Sequence, residues 1–217
     1  MTKVVGVIGG MGPAATLDFL VKLHHATGAT KESEHLRVIT DNNPRHADRN
    51  AAMNATGPSP APLLAQTARG LAAAGAEVLA MPCNAANSWA AEIVAATPLP
   101  FVSMIDAAVA AVRAAVPGAH TVGLLAVEAT QVSGIYHRGF ADAGIEVIAP
   151  DMAAFMPLIY AVKRGDTGRQ ALGRFSRSDL SVIAPAPCAA RGAPAQGRER
   201  RGTRRARLRC RCRLRRR

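Results

Sequence analysis

The chain has 217 residues, enough for one or two small domains, and half of them are hydrophobic while only 4% are aromatic, so a core must come from Ala, Val, Leu and Ile. No apolar run reaches the roughly 18 residues that cross a bilayer, and no basic region followed by an apolar stretch marks a signal peptide. The formal net charge of +12 sits at the C-terminus: residues 1–173 hold 12 Lys and Arg against 13 Asp and Glu, whereas residues 174–217 hold 15 Arg, no Lys, and only Asp179 and Glu199.

The body is therefore a near-neutral domain, and the high isoelectric point describes only the tail. Four cysteines, at 83, 188, 210 and 212, show neither zinc-ligand spacing nor a disulfide framework. A reduced, cytoplasmic protein is the expectation.

Residues 3–10, KVVGVIGG, are a β-branched run broken by glycines and predict the first strand. Gly9-Gly10-Met11-Gly12-Pro13 then makes a tight turn. Pro13 suits the first turn of a helix over 14–26, with Leu17, Leu20, Val21 and His24 on one face. Strand, glycine-rich turn and helix form the opening unit of a doubly wound fold, and such a loop can bring backbone N–H groups to an anion. The spacing is not GxGxxG, which argues against a dinucleotide site. Residues 36–40 predict a second strand. It opens into the polar loop 41–49, DNNPRHADR, at a place where loops commonly carry ligand contacts. Arg49 there is either a bidentate grip for a carboxylate or a solvated surface arginine. After the loop 57–62, residues 63–74 predict an amphipathic helix ended by Gly75.

The stretch 76–89, AEVLAMPCNAANSW, carries the sharpest chemical signal. Val78-Leu79-Ala80-Met81 has the composition of a buried strand, and Pro82, lacking an N–H, ends it. Cys83 and Asn84 follow, and a helix is expected from Ala85 to 96. A cysteine at the carboxyl end of a strand lies where open α/β sheets bind ligands. A helix N-terminus just beyond it lowers a thiol's pKa toward the reactive thiolate. The alternative is a buried cysteine acting as a small hydrophobe.

Downstream, the pattern predicts a strand over 101–105, Asp106 capping a helix over 107–116, and a strand over 121–127. A helix over 131–143 stopped by Gly144, a strand over 145–149, and a helix over 153–164 with Tyr160 and Lys163 come next. Strands and helices alternate throughout, which argues for parallel βα units and an α/β fold. Residues 179–188, DLSVIAPAPC, permit a last strand. After Cys188 no period of 2 or 3.6 persists, and the Arg-biased run is expected to be disordered by itself. It reads either as a nucleic-acid or membrane-binding tail or as an out-of-frame product of a GC-rich gene. Arg, Ala, Gly and Pro have GC-rich codons, and the absence of Lys favours the frameshift.

Several pieces together resemble the aspartate/glutamate racemase family, in its cofactor-independent aspartate racemase branch. They are GVIGGMGPAAT at 6–16, NNPRHADR at 42–49, GAEVLAMPCNAAN at 75–87, VSMIDA at 102–107, VGLLA at 122–126, SGIY at 133–136 and IYAVKRG at 159–165. The resemblance runs to about residue 173. It implies two similar parallel-sheet α/β domains with the active site between them. The expected division is 1–107 with Cys83, 108–173 as a second domain lacking its final elements, and 174–217 as the tail. It further implies two cysteines facing each other across the substrate, with no pyridoxal phosphate or metal, and a homodimer. Cys83 matches the first family cysteine; Arg49 and Lys163 match basic residues that hold substrate carboxylates; Gly12, Asn43 and Asn84 match pocket-lining positions.

The departures also matter. The family usually has Thr after Cys-Asn and His two further on, where this chain has Ala85 and Asn87. The threonine usual after the VGLLA strand is missing from Val127-Glu128. The second cysteine normally lies in a Gly-Cys-Thr-Glu motif, which is absent; Cys188 stands near the expected distance but in Pro-Ala-Pro-Cys-Ala-Ala. The expected function is amino-acid racemisation by 1,1-proton transfer at the α-carbon of a small dicarboxylic amino acid, with Cys83 as acid/base and an impaired second half-reaction. The alternatives are a single-cysteine decarboxylase or isomerase of the same superfamily, or a non-catalytic protein with a basic nucleic-acid-binding tail. No membrane partner is expected, and nucleic acid is disfavoured despite the tail.

Overall fold

The computed structural model describes residues 2–164. The expectations placed on the final segment, namely the strand at 179–188, the position of Cys188 and the disordered tail, lie outside the described residues.

Two parallel sheets organise these residues. β1 (Val5–Gly9), β2 (Val38–Asn42), β3 (Val78–Ala80) and β4 (Phe101–Val102) form the first, in the order β2-β1-β3-β4. β1 pairs in parallel with β2 and β3, with Val5 opposite both Val38 and Val78, and Leu79 of β3 pairs with Phe101 of β4. β5 (Thr121–Gly123) and β6 (Glu146–Ile148) form the second, also parallel. The α/β class with parallel βα units thus holds. Each parallel pair needs a crossover, and the helices between the strands supply it.

The first core is aliphatic, as the scarcity of aromatics requires. Helix α3 (Ala61–Ala73) buries Leu64, Ala68 and Leu71, spaced by four and three residues, onto Ile8, Leu79, Met81 and Ile93. The second cluster centres on Tyr136, Phe140 and Ile145, with Val109 and Val112 of α5 (Met104–Ala115) and Val122 of β5 packed around them.

Several local expectations need correction. Helix α1 (Pro13–Ala26) starts on Pro13, and its shared face of Leu17, Leu20, Val21 and His24 is turned largely to solvent. Leu17 is 59% exposed and Val21 56% exposed, and the fully buried side chain is Thr16. Thr16 Oγ1 accepts from Gly10 N at 3.0 Å, so the helix is tied to the sheet at its first turn. Strand β2 runs through Asp41 and Asn42, because pairing with β1 continues to Gly9. A short helix α2 (Arg49–Met53) had no periodic signal; it forms because Asp48 caps it, its Oδ1 accepting from Ala51 N at 2.8 Å. β4 is shorter than expected, and Ser103 rather than Asp106 caps α5: the Ser103 hydroxyl accepts from Asp106 N. The helix expected at 131–143 is two, α6 (Glu128–Ser133) and α7 (Ile135–Ala141). Gly134 separates them in the left-handed conformation, φ 64°, which glycine adopts without steric cost. The last described helix, α8 (Met152–Lys163), contains Pro157.

Candidate active site

Because β1, β2 and β3 are parallel neighbours, the loops at their carboxyl ends gather along one edge of the first sheet. The first two loops touch. Gly10 has φ 90°, and a β-carbon built on it would fall 2.1 Å from the Asn43 carbonyl oxygen, so only glycine fits. This contact sets the loop that carries Gly12 against the loop that carries Asn43. Gly12 itself is exposed, and a β-carbon there would meet nothing within 4 Å. Packing within the protein therefore does not dictate a glycine at position 12.

Cys83 leaves the end of β3 and is buried among Met81, Ala86, Ile8 and Met11 of the first core. The sequence led to an α-helix directly after it. Instead a 3₁₀ segment, Ala85–Trp89, intervenes before α4 (Ala90–Ala96). Helix-dipole stabilisation of a thiolate is correspondingly weaker than an α-helix beginning at Ala85 would supply, because few amides are aligned. What holds the Cys83 turn is Asn87, a residue the sequence marked only as a departure. Its Nδ2 donates to the Cys83 carbonyl at 2.7 Å, and its side chain is buried. An amide at this position clamps the backbone that presents the thiol.

Asn84 is exposed beside Cys83, and its Oδ1 accepts a 2.5 Å hydrogen bond from the Tyr136 hydroxyl. Tyr136 is buried, and burial pushes its phenol pKa above the ordinary value. Helices α2 and α6 both pack on the 3₁₀ segment and on each other. Asn50 Oδ1 of α2 accepts from Ala129 N of α6 at 3.1 Å. The second region thus closes over the same edge.

Arg49, at the start of α2, is half-buried. Its Nη1 donates to the Ala47 carbonyl at 2.9 Å and to the His46 carbonyl at 3.4 Å. The guanidinium is thereby tied to its own loop by one nitrogen. Asn43 Oδ1 accepts from Arg45 N, a local turn that shapes the same loop. The Lys163 side chain lies outside what the structure describes.

Two further residues were given no role of their own by the sequence. His46 is buried, and neither ring nitrogen has a hydrogen-bond partner among the described residues. Burial first, and the neighbouring Arg49 charge second, hold its pKa below the usual 6.5, with Asp41 pulling the other way. Thr130 of α6 is fully buried with its hydroxyl unpartnered among the described residues. Among the described residues, no three His, Cys, Asp or Glu side chains cluster as a metal site.

A parallel α/β sheet with a cysteine at its carboxyl edge and a capped, arginine-bearing loop beside it is the architecture of a small-molecule enzyme. The Asp/Glu/Hydantoin racemase family model matches residues 8–178, and the chain belongs to that family of isomerases. Among solved structures, the aspartate racemase of Picrophilus torridus is 33% identical. The match covers 84% of this chain and 74% of that one, with a TM-score of 0.72. An aspartate racemase homologue from Pyrococcus horikoshii OT3 is 23% identical over 74% of this chain and 70% of that one, TM-score 0.60. The glutamate racemase of Campylobacter jejuni subsp. jejuni is 17% identical over 83% and 66%, TM-score 0.56. The last two show a shared fold.

Proposed function

We propose that the chain acts on the α-carbon of a small dicarboxylic amino acid, with Cys83 as the proton-transferring group. The observation that carries this reading is the position of Cys83. It lies three residues beyond the central strand β3, its backbone is clamped by Asn87, and it shares the carboxyl end of the sheet with the loops that carry Gly12, Asn43 and Asn84.

The chemistry follows from the weak acidity of an amino-acid α-hydrogen. The Cys83 thiolate takes that hydrogen as a proton; the C–H bond breaks, an S–H bond forms, and the electron pair passes into the α-carboxylate. Donors on that carboxylate must stabilise the developing charge, and a partly desolvated pocket strengthens them. Asn84 and Arg49 are the proposed donors on the described edge, with Lys163 assigned the same role. Gly12 and Asn43 line the pocket, and the bare Gly12 position leaves room for substrate to approach the backbone. The reaction needs no pyridoxal phosphate or metal.

Racemisation needs a second acid on the opposite face. The sequence contains no Gly-Cys-Thr-Glu motif, so we assign the chain a one-sided reaction: Cys83 removes the α-proton, exchanges with solvent, and returns hydrogen to the same face. The proposed division of labour is 1–107 for Cys83 and its edge and 108–173 for closure, in a cytoplasmic protein.

The test is incubation of L- and D-aspartate with the full chain in D₂O. One enantiomer should gain α-deuterium without inversion, and Cys83→Ser should abolish it. Rapid interconversion of both enantiomers would overturn the one-sided reading and point to Cys188. Equal exchange by the serine variant would overturn the role of Cys83.

A further inference from the structure

Tyr136 joins the two regions of the molecule at one atom. Its ring lies in the second cluster, stacked with Phe140 at a centroid distance of 6.4 Å and packed with Ile145. Its hydroxyl leaves that cluster and donates to Asn84 Oδ1, on the residue next to Cys83 and 52 positions away in sequence. A buried tyrosine needs a partner for its hydroxyl. Here the partner is an exposed side chain that water could satisfy equally well. The bond is therefore more than the satisfaction of Asn84.

An asparagine amide has one accepting and one donating end, and which end faces a ligand depends on its orientation. The Tyr136 hydroxyl takes up the accepting end. The donating Nδ2 is the end left to meet a ligand. Unrestrained, an exposed asparagine would sample both orientations and several rotamers, and each ordering step opposes binding.

We propose that Tyr136 is a positioning residue: its hydroxyl fixes the Asn84 amide with Nδ2 as the donor to a substrate carboxylate, so that closure of the second region presets the site at Cys83. This rests on the reading of the Cys83 edge as the substrate site. The substrate class is an anion that accepts from an amide N–H. Tyr136 touches Asn84 and acts through it.

The experiment is calorimetric titration of L-aspartate into the full 217-residue chain and into Tyr136→Phe, Asn84→Ala, their double variant and Asn84→Asp, with the Tm of each recorded. Tyr136→Phe keeps the buried ring and removes only the hydroxyl. Affinity should fall about tenfold, as expected for one lost hydrogen bond. Asn84→Ala should fall equally, and the double variant no further than either alone, which a merely structural role would not produce. Asn84→Asp keeps an acceptor for Tyr136 but lacks the donor, and should fall at least as far with its Tm near the parent's. Parent affinity in Tyr136→Phe beside a weakened Asn84→Ala overturns the proposal and leaves the site reading standing. Additive losses overturn it in the same way. If Tyr136→Phe fails to fold, parent affinity in Asn84→Asp overturns it. No binding of L-aspartate to the parent chain overturns the site reading and this proposal together.

Discussion

β1 and β3 lie in the middle of the four-stranded sheet, each flanked on both edges, and Ile8, Leu64, Leu79 and Ile93 around them are shut off from solvent. β5 and β6 have only each other among the described residues, and their cluster has three buried members, Tyr136, Phe140 and Ile145, ringed by half-buried aliphatics. The first region is a close-packed core that can hold a thiol in place. The second reaches toward that region through the Tyr136 hydroxyl, which donates to Asn84, and through the Ala129 backbone N–H, which donates to Asn50. Rigidity and closure are thus divided between the halves. Substitutions in each should read out differently.

The largest expected effect is at the rigid edge. Cys83→Ser keeps the shape but raises the side-chain pKa by several units, so α-deuterium incorporation should drop by about a thousandfold. Nuclear magnetic resonance of the substrate α-position measures it, and comparable exchange by the variant would remove the cysteine from the mechanism.

Next comes the packing contrast itself. Leu79→Ala should cost about 3 kcal/mol, because it opens a cavity in a core that cannot collapse around it. Val122→Ala, at a half-buried position of β5, should cost about 1 kcal/mol. Urea midpoints give both values, and amide exchange should be slower in β1 and β3 than in β5 and β6. Equal protection in the two sheets would break the comparison.

Arg49→Lys should raise KM for L-aspartate about tenfold and for L-alanine far less, because the bidentate fork is lost while the charge remains. Its Nη1 bonds to the 46 and 47 carbonyls are also lost, so the Tm should be recorded beside KM. Equal effects on both substrates would assign Arg49 to the loop alone.

The smallest effect concerns His46. Its folded pKa lies below the usual 6.5, so between those two values the unfolded chain binds more protons than the folded one. Stability is therefore complete above about pH 6.5 and is lost as pH falls toward the folded pKa. His46→Leu should flatten this slope and, by removing two buried nitrogens that have no partner among the described residues, add about 1 kcal/mol at neutral pH. An unchanged slope in urea midpoints between pH 5 and 7.5 would place the acid sensitivity elsewhere.

Local chemistry made much of this legible before any tertiary contact was known. The β-branched run at β1, the apolar run at β3, Pro13 opening α1, Gly75 ending the helix before β3, and Pro82 stopping that strand ahead of Cys83 all act within a few residues. The motif at 75–87 therefore announced both a strand end and a cysteine. What the chain could not show alone depends on neighbours distant in sequence. The exposure of Leu17 and Val21 follows from which side of α1 meets the sheet, and periodicity shows only that they share a face. Helix α2 and the split at Gly134 turn on one cap and one left-handed residue, below the reach of any periodic pattern. The closing contact lay beyond sequence reasoning altogether. A tyrosine in SGIY and an asparagine in PCN carry no mark of their pairing. Only the folding of the second region against the first brings a buried hydroxyl within 2.5 Å of Asn84, because a hydrogen bond is decided by distance in space.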